Sequence, residues 1–159
     1  ALTLGTLDGA NIEMAEEIGA ENMFIFGLDA KQVKELKQSG YNPRSFYESD
    51  PELKRVVDSL IDGSFEEGEK DLFLPIWKAL LEDGDSYLNM ADFRAFVDAS
   101  NKVDELYLNR KEWITKAILN VARIGKFSSD RAIKEYANDI WKIQPLPLEL
   151  SNGNNSRTL

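Results

Sequence analysis

Residues 2–27 read LTLGTLDGANIEMAEEIGAENMFIFG, and the order of patterns within them decides the fold. Leu2 to Thr6 alternates apolar with small or polar side chains, as a strand does, and Leu7-Asp8-Gly9 follows as a turn. Asn11 to Ile18 predicts a short helix with Ile12, Ala15 and Ile18 on one stripe and Gly19 as its left-handed cap. Met23-Phe24-Ile25-Phe26 is an unbroken apolar run ending at Gly27, the pattern of a strand covered on both faces in a parallel sheet. Strand, helix and strand in this order make a βαβ unit with a right-handed crossover.

Beyond Gly27 the period turns helical. Asp29 and Gln32 have capping-box spacing, with a helix running to Gly40. Asn42-Pro43 and Asp50-Pro51 each place a cap before a proline at the first helical position. The second of these helices carries Leu53, Val56, Val57, Leu60 and Ile61 inward and stops at Gly63. The polar stretch Gly63 to Lys70 predicts a loop. Phe73, Ile76, Trp77, Leu80 and Leu81 form the next stripe, ended by Asp83-Gly84, and Tyr87 to Met90 predicts a short strand or an extended connector.

Three longer helices complete the pattern. Asp92 is expected to cap the first, with Phe93, Phe96, Val97, Val103 and Leu106 inward. Arg110 or Lys111 opens the second, with Trp113, Ala117, Ile118, Val121 and Ile124 inward and Gly125 at its end. Ser128 or Ser129 caps the third, whose apolar face is Ile133, Tyr136, Ala137, Ile140 and Trp141. Gln144 to Leu148 is extended, and the Asn-rich stretch Ser151 to Leu159 predicts disorder. Two or three short strands do not make a self-sufficient parallel sheet. The pattern therefore predicts the C-terminal portion of a larger α/β domain, with its sheet neighbours outside these residues.

Composition narrows the chemistry. The 159 residues carry 19 Lys plus Arg against 28 Asp plus Glu, a net charge of −9, with neither cysteine nor histidine. Disulfides, thiolate nucleophiles, the usual zinc ligand sets and Ser–His or Cys–His relays within the chain are thereby excluded. The acidic balance disfavours nucleic acid and anionic membranes, which call for a basic surface. No apolar run reaches the length of a bilayer span, and the first residues have no basic, apolar signal pattern. A soluble, cytoplasmic chain is expected.

Each candidate site residue has a structural reading beside it. Asp8-Gly9-Ala10-Asn11 opens a helix after a strand, a geometry suited to an anion, but Gly9 also permits the turn and Asp8 or Asn11 also suits a cap. Glu16 and Glu17, and the cluster Glu66, Glu67 and Glu69, read as solvated surface: sequence neighbours on a helix point about 100° apart, not across a cleft. Ser128 and Ser129 read as a cap more than as phosphorylation sites, with Asp130 favouring the helix dipole. Trp77, Trp113 and Trp141 fall on apolar stripes, as core residues rather than sugar platforms. Arg131 reads as a local surface partner of Asp130.

The segment Gly5-Thr6-Leu7-Asp8-Gly9-Ala10-Asn11-Ile12-Glu13, continued by Met14 to Gly19 and Asn22 to Gly27, resembles the α-glucan (glycogen, starch, maltodextrin) phosphorylases. A second block, Gly125-Lys126-Phe127-Ser128-Ser129-Asp130-Arg131, leads into Glu135-Tyr136-Ala137 and Ile140-Trp141. Tyr41-Asn42-Pro43, Val103-Asp104 and Lys111-Glu112-Trp113 lie between them in the family's order, so the resemblance covers residues 1–143. It implies a helix-rich end of the cofactor-bearing Rossmann-like domain in a two-domain, GT-B-like fold, followed by a tail at 144–159. It also implies cleavage of terminal α-1,4-glucosyl units by phosphate to give glucose 1-phosphate, with pyridoxal 5′-phosphate held on a Lys as a Schiff base, in a homodimer.

The resemblance places that Lys before Ala1, and neither Lys31 nor Lys126 matches its motif. No catalytic, cofactor-binding or metal-binding residue is therefore assigned within the chain, and the segment alone is expected to be inactive. The remaining weight on Asp8 to Asn11 is a role beneath the cofactor. Two other expectations stay open: a stand-alone helical interaction or regulatory module derived from a phosphorylase, and a partial listing of a longer chain. A severed segment is expected to expose the apolar faces of Met23 to Phe26 and to associate unless the remainder of the phosphorylase is present.

Overall fold

A computed structural model describes residues 2–65, 71–144 and 146. The chain divides into two compact units, 1–124 and 125–159. In the first unit, strands β1 (Leu4–Thr6) and β2 (Phe24–Phe26) pair in parallel, with Leu4 opposite Phe24 and Thr6 opposite Phe26. Helix α1 (Ala10–Ile18) and a 3-10 turn at Ala20–Asn22 cross between them. The expected βαβ unit is present. Both strands are only half-buried along their lengths, so the double-faced burial expected of Met23 to Phe26 holds for Met23 alone.

The helices start largely where their caps dictate. Asp29 and Gln32 form a reciprocal capping box at α2 (Ala30–Gln38). Asn42 accepts from the Arg44 N–H at α3 (Pro43–Ser49). Asp50 accepts from the Glu52 and Leu53 N–H groups at α4 (Pro51–Asp58). Then come α5 (Leu74–Leu81), α6 (Asn89–Leu108) and α7 (Arg110–Arg123). Leu53 and Val57 of α4 meet Leu81 and Met90 in a core flanked by Phe46, Tyr47, Trp77, Leu80 and Phe93. Burying side chains of this size stabilises by about 1.5–3 kcal/mol each.

Helix α7 departs in part from its expected face: Trp113, Ala117 and Ile124 are half-buried, but the rest of the stripe is not. Ile118 and Val121 point to solvent, at 61% and 72% exposure, together with Ile114. The inward side carries Lys116, Asn120 and Arg123 instead. Lys116 Nζ donates to the Glu21 carbonyl at 2.5 Å, Asn120 Nδ2 to the Asn22 carbonyl at 2.9 Å, and Arg123 Nη1 to the Ile18 carbonyl at 3.0 Å. These carbonyls lie at the end of α1 and in the 3-10 turn after it, where backbone acceptors lack helical partners, and α7 turns this polar row toward them.

Other local expectations are corrected as well. Tyr87 to Met90 is neither strand nor connector: Leu88 has φ +59 and Asn89 already begins α6. Asp92 lies inside the first turn of α6 and does not cap it. Gly19 has φ +88 but ψ +128, outside the left-handed helical region. Gly9, not Asp8 or Asn11, takes the cap position of α1, with no side-chain cap bond. Ile12, Val56, Ile76 and Phe96 are exposed members of their stripes.

In the second unit, α8 (Ser129–Glu135) runs into a π-helical turn, Tyr136–Trp141. Ser128 holds the cap position without a side-chain bond. Ile133, Tyr136, Ile140 and Trp141 are exposed, so the expected buried face is not formed among the described residues. The Trp141 ring lies tilted against that of Tyr136, with centroids 5.7 Å apart. Of the expected loop Gly63 to Lys70, residues 66–70 lie outside the described residues, as does the tail apart from 144 and 146.

Candidate functional site

The carboxyl ends of β1 and β2 open into a groove between α4 and α6, with a cavity volume of about 710 Å³. Open α/β sheets bind ligands at this end of their strands. Val56 and Val57 of α4, and Leu60 in the turn after it, face Met90, Phe93 and Phe96 of α6 across it. Phe26, the last residue of β2, closes one end by packing edge-on against Phe96, with ring centroids 5.3 Å apart.

The floor of the groove is polar and its hydrogen bonds are local. Thr6 Oγ1 donates to Asp8 Oδ1 at 2.9 Å, and Asn11 Nδ2 donates to the Thr6 carbonyl at 2.8 Å. A Cβ on Gly5 would sit 2.6 Å from that Asn11 amide nitrogen, so the absence of a side chain there makes room for the tie between α1 and β1. From the other side, the Leu28 N–H donates to Asp92 Oδ1 at 2.9 Å. Burial pushes the Asp92 carboxyl above its ordinary range, the Leu28 N–H opposes this, and the negative charges of Asp85 and Asp8 add to the rise.

Asp85 fixes the wall behind the floor. It is 2% exposed and has φ +44. Its Oδ2 accepts from the Tyr41 hydroxyl at 2.7 Å and from the Met90 N–H at 2.8 Å, and its Oδ1 accepts from Asn89 Nδ2 at 2.8 Å. Asp85 thereby caps α6 from outside the helix, where Leu88 offers no side-chain oxygen. Burial, then the bond to Asp85, pushes the Tyr41 phenol well above its ordinary value.

The residues singled out in the sequence are mostly dispersed. Asp8 and Asn11 reach the groove or its floor, but through Thr6 rather than as caps. Glu16 and Glu17 are exposed, and Glu66, Glu67 and Glu69 lie outside the described residues. Trp77 and Trp113 are half-buried, and Arg44 stacks over Trp77. Arg131 pairs with Glu135 rather than Asp130 and also donates to the Lys126 carbonyl. Lys31 pairs with Glu35 on the exposed side of α2. Among the described residues no cluster of three metal-ligating side chains occurs. Of Asp85 and Asp92, the residues that shape the site, the sequence pattern marks Asp92 as a helix cap and does not single out Asp85. Their role depends on partners up to 64 positions away.

Pyridoxal phosphate does not fit this groove. Its charged lining residues are the carboxylates Asp8 and Asp92, and among the described residues no Lys or Arg lines it to form a Schiff base or to hold a phosphate.

The sequence model of the carbohydrate phosphorylases matches residues 1–143. A glycogen phosphorylase of Synechocystis sp. is 52% identical over 96% of this chain and 18% of its own length. The brain form of Homo sapiens glycogen phosphorylase is 49% identical over 94% of the chain, and the liver form 47% over 98%, each again over 18% of the relative. The chain thus spans about a fifth of the length of the curated relatives it matches. By the match over residues 1–143, the chain belongs to the carbohydrate phosphorylase family.

Proposed function

We propose that the chain works as part of an α-glucan phosphorylase, which uses phosphate to release terminal α-1,4-glucosyl units as glucose 1-phosphate. The single observation carrying this reading is the likeness to glycogen phosphorylases along nearly the whole chain. The parent is read as a cytoplasmic homodimer of two-domain, GT-B-like fold, in which residues 1–143 close the cofactor-bearing Rossmann-like domain. Pyridoxal phosphate would supply a phosphate group beside the substrate phosphate. The groove at the strand ends does not suit that cofactor, so the reading assigns the attachment Lys and the phosphate donors to the remainder of the polypeptide. What this chain contributes is the βαβ unit and the helices packed against it.

The test is phosphate-dependent release of glucose 1-phosphate from glycogen, assayed beside native mass and cofactor absorbance. The 159-residue chain alone is expected to release none. A native protein of mass far above 18.0 kDa, carrying cofactor and active, supports the reading. A native mass near 18.0 kDa without cofactor overturns it. That result favours the second reading, a helical interaction module, for which the exposed row Ile114, Ile118 and Val121 on α7 is the supporting observation.

A further inference from the structure

The groove at the strand ends holds an electrostatic imbalance that its own residues do not resolve. Among the described residues, Asp8 and Asp92 are its only charged lining groups, with Asp85 behind them. Both oxygens of Asp85 are taken up by Tyr41, Asn89 and Met90. Asp8 and Asp92 each have one oxygen bonded, to Thr6 and to Leu28, and the second has no protein partner among the described residues. The nearby cation on α6 is committed elsewhere: Arg94 is bonded to Asp50 at 2.6 Å and to Glu52 at 3.0 Å. The rest of the lining is apolar and partly open, with Val56 and Phe96 nearly half exposed.

We propose that this groove docks a peptide segment bearing an arginine or lysine among apolar side chains. The cation lies against Asp8 and Asp92, and its apolar neighbours cover Val56, Leu60, Phe93 and Phe96. Charge selects this occupant over phosphate, a sugar phosphate or an acidic peptide, each of which the two carboxylates repel. Shape selects a peptide over a small amine. Residues 89–96 run about two turns of α6 opposite residues 53–58 of α4, and two helical turns make a trough of roughly 11 Å, which accepts about three extended residues. The proposal concerns binding only and stands apart from the phosphorylase reading, so either can fail while the other holds.

The experiment titrates the 159-residue chain with a capped tetrapeptide of three leucines and one arginine, followed by amide NMR. The control peptide carries glutamate in place of the arginine. Saturable shifts at Thr6, Leu28 and Asn89 are expected with the arginine peptide, with the glutamate peptide weaker by roughly tenfold, the value of one ion pair in a half-desolvated site. The double variant Asp8→Asn with Asp92→Asn keeps the acceptors for Thr6 and Leu28, so it remains folded, and it is expected to erase the difference between the peptides. Equal affinity for both peptides in the unsubstituted chain, no saturable shift at millimolar peptide, or the same shifts produced by inorganic phosphate would each overturn the proposal.

Discussion

The hydroxyl of Tyr41 and the carboxylate of Asp85 meet at 2.7 Å across 44 positions of sequence, and the bond ties the loop before α3 to the start of α6. Asp85 also takes the Met90 N–H and the Asn89 amide, so one buried carboxylate serves three donors. Tyr41→Phe removes one donor and leaves the rest satisfied, at an expected cost of about 1 kcal/mol. Asp85→Ala strands buried donors and is expected to cost about 3 kcal/mol or more. Asp85→Asn, which tolerates the positive φ and keeps an acceptor, should fall between them. Urea unfolding of the three variants checks the order. A cost for Tyr41→Phe equal to that for Asp85→Ala would mean that Asp85 does not act as the shared acceptor.

Gly27 sits where β2 hands over to α2, with φ +78, and a Cβ there would lie 2.8 Å from the carboxylate of Asp92. Gly40 has φ +88 but open space around it. Both positions strain an alanine, and only Gly27 adds a clash with the group that holds the Leu28 N–H. Gly27→Ala is expected to cost about 2 kcal/mol and Gly40→Ala about 1 kcal/mol. Melting of the two variants side by side separates the steric part from the backbone part.

The local signals were legible in the sequence because they act over three or four residues. The Asp29–Gln32 capping box, the Asn42-Pro43 and Asp50-Pro51 starts, and the βαβ order of residues 2–27 are all present as read. The face of α7 was not legible. Lys116, Asn120 and Arg123 recur at the same spacing as Ile114, Ile118 and Val121, so the helix carries two opposed stripes. Carbonyls at Ile18, Glu21 and Asn22, about a hundred positions earlier, decide which one turns inward. The same holds for Asp92, which reads as a cap from its neighbours but bonds Leu28 in the fold.

That choice of face has a direct consequence for stability. Leu53 is 2% exposed within the core of the first unit, and Leu53→Ala is expected to cost about 3 kcal/mol. Ile118 is 61% exposed, and Ile118→Glu is expected to change the stability of the 159-residue chain by less than about 0.5 kcal/mol. Denaturant midpoints of the two variants test the orientation of α7. A loss for Ile118→Glu as large as that for Leu53→Ala would place Ile118 in a core and reverse the assignment.

Acid should act on this fold in two opposed steps. The Asp92 carboxyl is raised by burial, so the folded state takes up its proton before the unfolded state does. Its penalty is therefore present above the raised value and is relieved as pH falls through it toward 3.8. Asp50 is lowered by its bond to Arg94, and Asp58 by its bond to Lys54 and then by Tyr47. Their contributions are fully present above 3.8 and are lost as pH falls through the lowered folded values. Stability measured by urea midpoint should first hold or rise slightly on acidification from neutral pH, then fall below about pH 4. Asp92→Asn removes the first step and leaves the second. Arg94→Gln weakens the second, because the guanidinium is the largest influence on Asp50. A profile that falls steadily from neutral pH in the unsubstituted chain, with Asp92→Asn leaving it unchanged, would show that the Asp92 carboxyl is not held in the half-buried site between β2 and α6.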